Sequence, residues 1–396
     1  MNTQCETSIS QSCERSFVKF ELMQKQGFGI HTGWLLLVML WLVSPLAVRA
    51  QFIFITNNGA ITITGFMGWS GGDLTIPAST NGYPVTSIGD IAFVGNDLTN
   101  ITIPNSITNI GTAAFSFNSG LTNVMIPDSV TSIGGGAFSS CDNLIAIRVG
   151  AQNPNYSSFK GTLFDKNQNT LLECPGGIVG SFAIPPTVTS IGGGAFGKCW
   201  TLTQVIIPRS VSSIGDFAFY EAGLTSVTIP DSVTNIGQAA FAITSLTNAI
   251  ISNRLTSIGD HAFYYCTSLN GVYFSGNAPI PATNVSVFSS ANNVIVYYLP
   301  GTSGWSANFD GRPTALWTLP YPLILNQGPG FGPQPNGFGF TISWATNIPV
   351  VIETATNLGN PVWLPLATNT LSSGTNSFSD PDWTNYPNRF YRVRSP

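Results

Sequence analysis

The sequence has 396 residues, of which only 8% are Asp, Glu, Lys or Arg, and its formal net charge is −4 at pH 7. An ordinary soluble domain carries about 25% charged residues, so the chain lacks the basic footprint of a nucleic-acid binder and most of the raw material for acid–base or metal chemistry. A hydrophobic content of 43% excludes a disordered polymer, and 41 glycines in 396 residues exclude collagen.

The first feature in chain order is an apolar run of 15 residues, Trp34 to Val48. It is shorter than the roughly 20 residues of a membrane span and ends in Val48-Arg49-Ala50. Residues 1–50 therefore read as a signal peptide, with Met23 as an alternative start that gives a shorter basic segment. Its removal takes four basic and three acidic residues away and leaves a net charge of −5. The mature chain then holds one histidine, His261, and four cysteines, Cys141, Cys174, Cys199 and Cys266. No second long apolar stretch follows, so no transmembrane segment is expected in it.

Residues 51–83 read as an N-terminal capping region ahead of an internal repeat at 84–275. The string Ser/Asn-Ile-Gly-x-x-Ala-Phe occurs seven times, ending at Phe93, Phe115, Phe138, Phe196, Phe219, Phe241 and Phe263, with spacings of 22, 23, 58, 23, 22 and 22. A period in the low twenties signals a solenoid of the leucine-rich-repeat class. Each unit carries an apolar triplet such as Leu224, Val227 and Ile229, then Pro230. Strand alternation turns the fourth and sixth positions of this run inward and the third and fifth outward. Proline ends the strand because it cannot donate to a ladder. The 58-residue spacing holds an insertion at 150–183, where Thr162-Leu163-Phe164 and Thr170-Leu171-Leu172 flank a polar turn and read as a β-hairpin.

The unit Leu-Thr-x-Val-x-Ile-Pro-x-Ser-Val-Thr-x-Ile-Gly-x-x-Ala-Phe resembles the BspA-type (type-5) bacterial leucine-rich repeat. So do Asn153-Pro154-Asn155-Tyr156 in the insertion and Val296-Tyr297-Tyr298-Leu299-Pro300-Gly301 with Gly304-Trp305 after the array. The resemblance spans roughly Gly59 to Trp317. It implies a secreted or surface-displayed binding scaffold, since members of that family act as adhesins toward matrix proteins and other cells. The expected fold class is mainly β: a solenoid of 22–23-residue repeats, closed by a C-terminal cap at 276–322. A Gly/Pro linker at 323–339, extended and poorly packed, and a small β module at 340–396 complete the chain. The opening Thr341-Ile342-Ser343-Trp344 and closing Phe390-Tyr391-Arg392-Val393-Arg394 of that module look similar to a short fibronectin type III sandwich.

The chemistry candidates are weak. His261 stands in a repeat-variable slot without partners in sequence. Cys141, Cys199 and Cys266 each follow the unit Phe by three residues, where Asn96 and Asn118 stand in other copies; buried structural thiols are expected, with Cys174 as the one partner able to fold back onto Cys141 or Cys199. Asp90, Asp216 and Asp260 share the slot after Ile-Gly and read as turn caps. No cofactor, metal site or catalytic residue is expected.

The outward strand positions are more telling. Asn123, Met125, Arg148, Gln204, Ile206, Thr228, Asn248, Ile250 and Tyr273 form the candidate binding face, with Ile206 and Ile250 large and apolar where a wet sheet favours Thr. The expected function is a non-catalytic, monomeric scaffold that binds a protein or glycan ligand on a cell surface or matrix. A carbohydrate-binding exoprotein with Trp305, Trp363 or Trp383 as sugar platforms is the alternative, and an enzyme the least supported.

Overall fold

The computed structural model describes residues 51–395 except 68–70, 282–285, 318, 320, 326–329, 345–346 and 373; the segment read as a leader lies outside the described residues. Among these the chain is β throughout, apart from a 3-10 turn at Trp383–Asn385. A β-solenoid of about ten turns is followed by separate C-terminal sheets.

Each turn of the solenoid lays one long strand on a face sheet and one two-residue strand on an edge sheet. In the face sheet Ser226–Ile229, Asn248–Ile251, Gly271–Phe274, Ile295–Tyr298 and Arg312–Leu316 pair in parallel. In the edge sheet Ser190–Ile191, Ser213–Ile214, Asn235–Ile236 and Ser257–Ile258 do the same, with Ser or Asn always over Ser or Asn and Ile over Ile. Between the sheets five of the seven unit Phe N–H groups donate to the alanine carbonyl of the next unit, Phe93 to Ala114, Phe115 to Ala137, Phe196 to Ala218, Phe219 to Ala240 and Phe241 to Ala262, at 2.7–2.8 Å, and Phe263 donates to Val287. The rings therefore stack with centroids 4.9–5.5 Å apart and planes within 10° from Phe93 to Phe138 and again from Phe196 to Phe263. That spacing follows the strand separation of about 4.8 Å.

Polar groups stack in the same manner. The hydroxyls of Thr225 and Thr247 donate to the carbonyls of Thr203 and Thr225, while Thr108, Thr131, Thr234 and Thr256 do likewise on the edge side. Asp90 and Asp216 accept the N–H of Thr112 and Gln238, each 22 residues ahead, at 2.7 Å. They cap the neighbouring turn rather than their own. The repeat-variable slot holds a left-handed residue in every unit (φ +50 to +68° at Ile91, Ala113, Gly136, Gly194, Phe217, Ala239 and His261) although only two are glycine. The stack on both sides enforces a conformation that would otherwise cost a side chain about 1–2 kcal/mol.

The ends are closed by aromatic rings. A Gln51–Asn57/Ala60–Met67 hairpin sets Phe52 and Phe66 against Phe93. At the other end Phe288, in a degenerate unit without the Ala-Phe signature, stacks 5.7 Å from Phe263. The face sheet runs on past residue 275 into the segment read as a cap, through Ile295–Tyr298 and Arg312–Leu316, and the edge sheet runs as far as Ile280–Pro281.

The insertion interrupts the array. Its predicted hairpin forms between Thr162–Asp165 and Thr170–Glu173, with the Asp165 carboxylate accepting the Asn169 and Thr170 N–H groups. A third strand, Tyr156–Phe159, pairs on the outside. Thr170–Glu173 then joins the edge sheet beside Ser190–Ile191. The buried core divides here, one cluster ending at Leu163 and the other beginning at Phe164. The Phe ladder is broken too: the Phe138 N–H finds the Glu173 carboxylate at 2.9 Å in place of an alanine carbonyl. Burial pushes the Glu173 carboxyl up to about 8 from an ordinary 4.5, against the lowering effect of that hydrogen bond.

The C-terminal strands make two antiparallel sheets around Phe340, Ile342, Trp344, Val350, Ile352 and Leu371. The segment read as a loose linker supplies Leu323–Leu325, Gly332–Gln334 and the start of Gly337–Ser343 to one of them. Its glycines permit close packing: a Cβ on Gly337 would lie 2.4 Å from the Asp380 carbonyl oxygen. In the other sheet Glu353 joins Arg392 and Arg394 from the last strand, at 2.6 and 2.8 Å.

The elevated Glu173 pKa fixes a sign. The folded chain keeps a proton that the unfolded chain releases above the ordinary carboxyl range, so the stabilisation is complete at acid pH and lost as pH rises through about 8. Thermal unfolding of the wild type is expected to weaken from pH 5 to pH 9 more than that of Glu173→Gln, whose amide oxygen still accepts from Phe138. Glu173→Ala, which orphans that N–H, should lose about 1–3 kcal/mol in denaturant titration at pH 6.

Candidate binding face

The outward residues are positioned by strand alternation. Val205, Val227, Ala249 and Val272 point into the core, which turns Gln204 and Ile206, Ser226 and Thr228, and Asn248 and Ile250 toward solvent, while Tyr273 is half-buried over a buried Gly271. Parallel register lines up Thr228, Ile250, Tyr273 and Tyr297 in one row across the sheet. Ile206 is 53% exposed and Ile250 38%, so two branched apolar side chains stand in water among Thr, Asn and Gln.

The nine residues expected on this face do not form one surface. Asn123, Met125 and Arg148 lie on the pair Asn123–Ile126/Ala146–Val149, before the insertion. Gln204, Ile206, Thr228, Asn248, Ile250 and Tyr273 lie after it. On the first part Met125 is exposed and the Arg148 guanidinium donates to the Asn123 side-chain carbonyl at 2.8 Å. Ala146, an outward position by alternation, is buried instead, because the Lys160-Gly161 turn of the insertion closes over it: a Cβ on Gly161 would lie 3.1 Å from that of Ala146.

Beyond Ile250 the face becomes aromatic. Tyr273 stacks on Tyr297 at 4.7 Å and 7°, and Trp317 tilts against it at 5.1 Å. Tyr273 leans back over Gly271, where a Cβ would fall 2.7 Å from the ring; units with Asn or Ser at that position could not hold this pose. Burial, then the neighbouring Tyr297, holds the Tyr273 phenol above its ordinary range. Tyr297 and Trp317 lie outside the repeat phase and were not among the expected residues. Trp200, 54% exposed on the turn before Leu202, was also missed; a large aromatic where no repeat position requires one was its only signal.

The tryptophans read as sugar platforms are otherwise engaged. Trp305 is part of the closing core, stacked on Tyr298 at 5.2 Å and packed on Phe274 and Phe309, with its indole N–H on the Gly276 carbonyl. The Arg392 guanidinium lies over Trp363 at 4.5 Å, and Trp383 packs on Phe338. His261 sets its ring edge-on to Tyr264. Among the described residues no group of three His, Cys, Asp or Glu is placed to hold a metal ion, and no helix is long and apolar enough to cross a membrane.

All four described cysteines are free and buried. Cys141 and Cys266 point their thiols at the carbonyls of Phe115 and Phe241. Asn118 fills the same slot more completely, donating to Phe93 and Phe115 and accepting from the Asn96 and Leu98 N–H groups. Burial pushes the Cys141 thiol up to about 12.

The sequence profile of the BspA type leucine rich repeat region matches residues 60–171 and 177–294 in six copies. No curated protein matches the chain. Among solved structures, a leucine-rich repeat protein from Eubacterium ventriosum is 23% identical, with a TM-score of 0.49 over 61% of this chain and 80% of its own. The pneumococcal vaccine antigen PcpA is 16% identical (TM-score 0.41, 68% and 97% covered). A leucine-rich repeat protein from Bacteroides ovatus is 25% identical (TM-score 0.39, 63% and 69% covered).

Because all four thiols are buried away from the reagent, native chain treated with iodoacetamide at pH 8 should leave Cys141, Cys174, Cys199 and Cys266 unmodified in peptide mapping. All four should be alkylated after unfolding. Labelling of Cys141 in the folded chain would show that the slot opens.

Proposed function

The chain belongs to the BspA-type leucine-rich-repeat family, and we propose that it is a secreted or surface-displayed, non-catalytic scaffold that binds a partner protein through the outward face of its long strands. The observation that carries this reading is the exposure of Ile206 and Ile250, on the long strands Leu202–Ile206 and Asn248–Ile251, among outward Thr, Asn and Gln side chains. Solenoids bind along such extended faces, and exposed apolar side chains grouped on one surface mark interaction sites. The adjoining Tyr273, opposite Ile250 in register, adds an aromatic anchor of the kind that dominates binding energy at protein interfaces. Export is supported by the apolar run at 34–48. The low charge content leaves the face without strong steering, so recognition rests on shape and apolar contact.

The test is a pull-down of the full chain against cell-surface and matrix extracts, followed by direct titration of the captured protein. The double variant Ile206→Asp/Ile250→Asp should bind at least about tenfold more weakly while keeping the wild-type unfolding midpoint within a few degrees. Unchanged affinity in a folded double variant would remove this face as the site, and a glycan as the captured species would favour the carbohydrate-binding alternative.

A further inference from the structure

The junction at the insertion holds a second site. A cleft of about 260 Å³ opens there, between Ile133-Gly134-Gly135-Gly136 on one wall and Gly192-Gly193 on the other, with Tyr156, Leu172 and Glu173 between them. Its origin is a missing rung. Elsewhere the Gly N–H that follows each unit Ile reaches back to the Ile carbonyl of the preceding unit: Gly111 to Ile88, Gly134 to Ile110, Gly215 to Ile191, Gly237 to Ile214 and Gly259 to Ile236. Leu172 stands in that place beyond Ile133, but it is the extra residue of a β-bulge, since Leu163 pairs with Glu173 and Phe164 with Leu171. A bulge turns the local backbone away from the ladder.

Among the described residues no backbone N–H therefore reaches the Ile133 carbonyl. The Gly193 carbonyl loses its donor for the same reason; its counterparts at Thr112, Gly135, Asp216, Gln238 and Asp260 each accept from the unit before. The Ile133 N–H is satisfied by the Tyr156 hydroxyl at 2.9 Å. Glu173, 6% exposed, gives one oxygen to the Phe138 N–H and lines the cleft with the rest of its carboxyl. The site thus presents two backbone carbonyls and a carboxyl as acceptors, and the same missing rung leaves the Gly136 N–H without a backbone acceptor among the described residues. Its walls are glycine backbone, aliphatic side chains and one aromatic ring.

We propose that this cleft binds an alkylammonium group, with the Glu173 carboxylate as its counter-charge and the Ile133 and Gly193 carbonyls as further acceptors. An ammonium has three donors and no acceptor, which matches the Ile133 and Gly193 carbonyls and the Glu173 carboxylate. Calcium or magnesium takes six or more oxygens, zinc takes at least three His, Cys or carboxylate ligands, and no group of three such side chains is present among the described residues. The Tyr156 ring adds a surface of the kind that attracts organic cations. The other titratable groups near Glu173 are the Cys141 and Cys174 thiols, which burial keeps neutral, and Asp142, which acts on Cys141. None of the cleft-lining residues is a lysine or arginine, so the carboxyl has no internal counter-charge there. The ammonium group could be that of a free small amine or of a lysine side chain on a bound protein.

The experiment is calorimetric titration of the full chain with n-butylamine, with Nα-acetyl-lysine N-methylamide and with n-butanol as the uncharged control. Butylamine should bind and butanol should not. At pH 7, binding should release about one proton, because Glu173 must ionise. The apparent affinity should rise roughly a hundredfold from pH 6 to pH 9 as that ionisation ceases to oppose binding. Glu173→Gln, which keeps an acceptor for Phe138, should fold and lose both the affinity and its pH dependence. Ile206→Asp/Ile250→Asp should bind butylamine as the wild type does, which separates this site from the sheet face. Binding of the lysine derivative assigns the group to a protein partner, and its exclusion alongside butylamine binding assigns it to a free amine. Equal binding of butylamine and butanol, no binding at pH 9, or undiminished binding by folded Glu173→Gln would overturn the proposal.

Discussion

The controlling constraint on this molecule is parallel, in-register stacking at one strand spacing per turn. Every repeat position lies about 4.8 Å from its own copy in the next turn, so a residue type is admissible only if it tolerates a column of itself. Ile, Val and Phe do, because they exchange water for each other. Thr and Ser do, because a hydroxyl donates to a carbonyl one turn away, as Thr225 and Thr247 show. A charged residue does not, since like charges directly opposite repel. The 8% charge content is the compositional trace of this rule. Of the three carboxylates that recur in one slot, Asp90 and Asp216 are each spent on a backbone N–H of the next turn, with Thr or Gly in the units between them, whereas the Asp260 Oδ1 makes no such bond among the described residues.

The same constraint explains what could be read from the sequence and what could not. Anything in phase with the repeat was legible: the Phe column, the inward triplets, the outward rows, the slot shared by Asn118 and the cysteines. So was the hairpin, because its two apolar runs flank a polar turn. Features out of phase were hidden. Phe288 continues the ring stack without the Ala-Phe signature, and Tyr297 with Trp317 enlarges the aromatic end of the face from beyond the last full unit. Ala146 looked exposed because alternation knows nothing of the turn that covers it. The Gly/Pro segment looked like a linker because composition cannot distinguish glycine that frees a chain from glycine that lets two backbones approach, which is its use at Gly337.

Glu173 illustrates the limit most sharply. In sequence it is one of eighteen acidic residues, in a stretch with no repeat register to give it a position. Its role appears only when the Phe138 N–H is followed to its acceptor and found to end on a side chain. The candidate face and the cleft are likewise different kinds of object. The face is made by the repeat and varies by substitution within it, whereas the cleft exists because the repeat fails once.

The division of the core at Leu163 and Phe164 has a mechanical meaning. A solenoid transmits load and cooperativity through contacts between neighbouring turns, and at one junction those contacts pass through a bulged hairpin instead of the full set of ladders. The array is therefore two packed cores in series, and whatever passes from one to the other along the stack must pass through that hairpin.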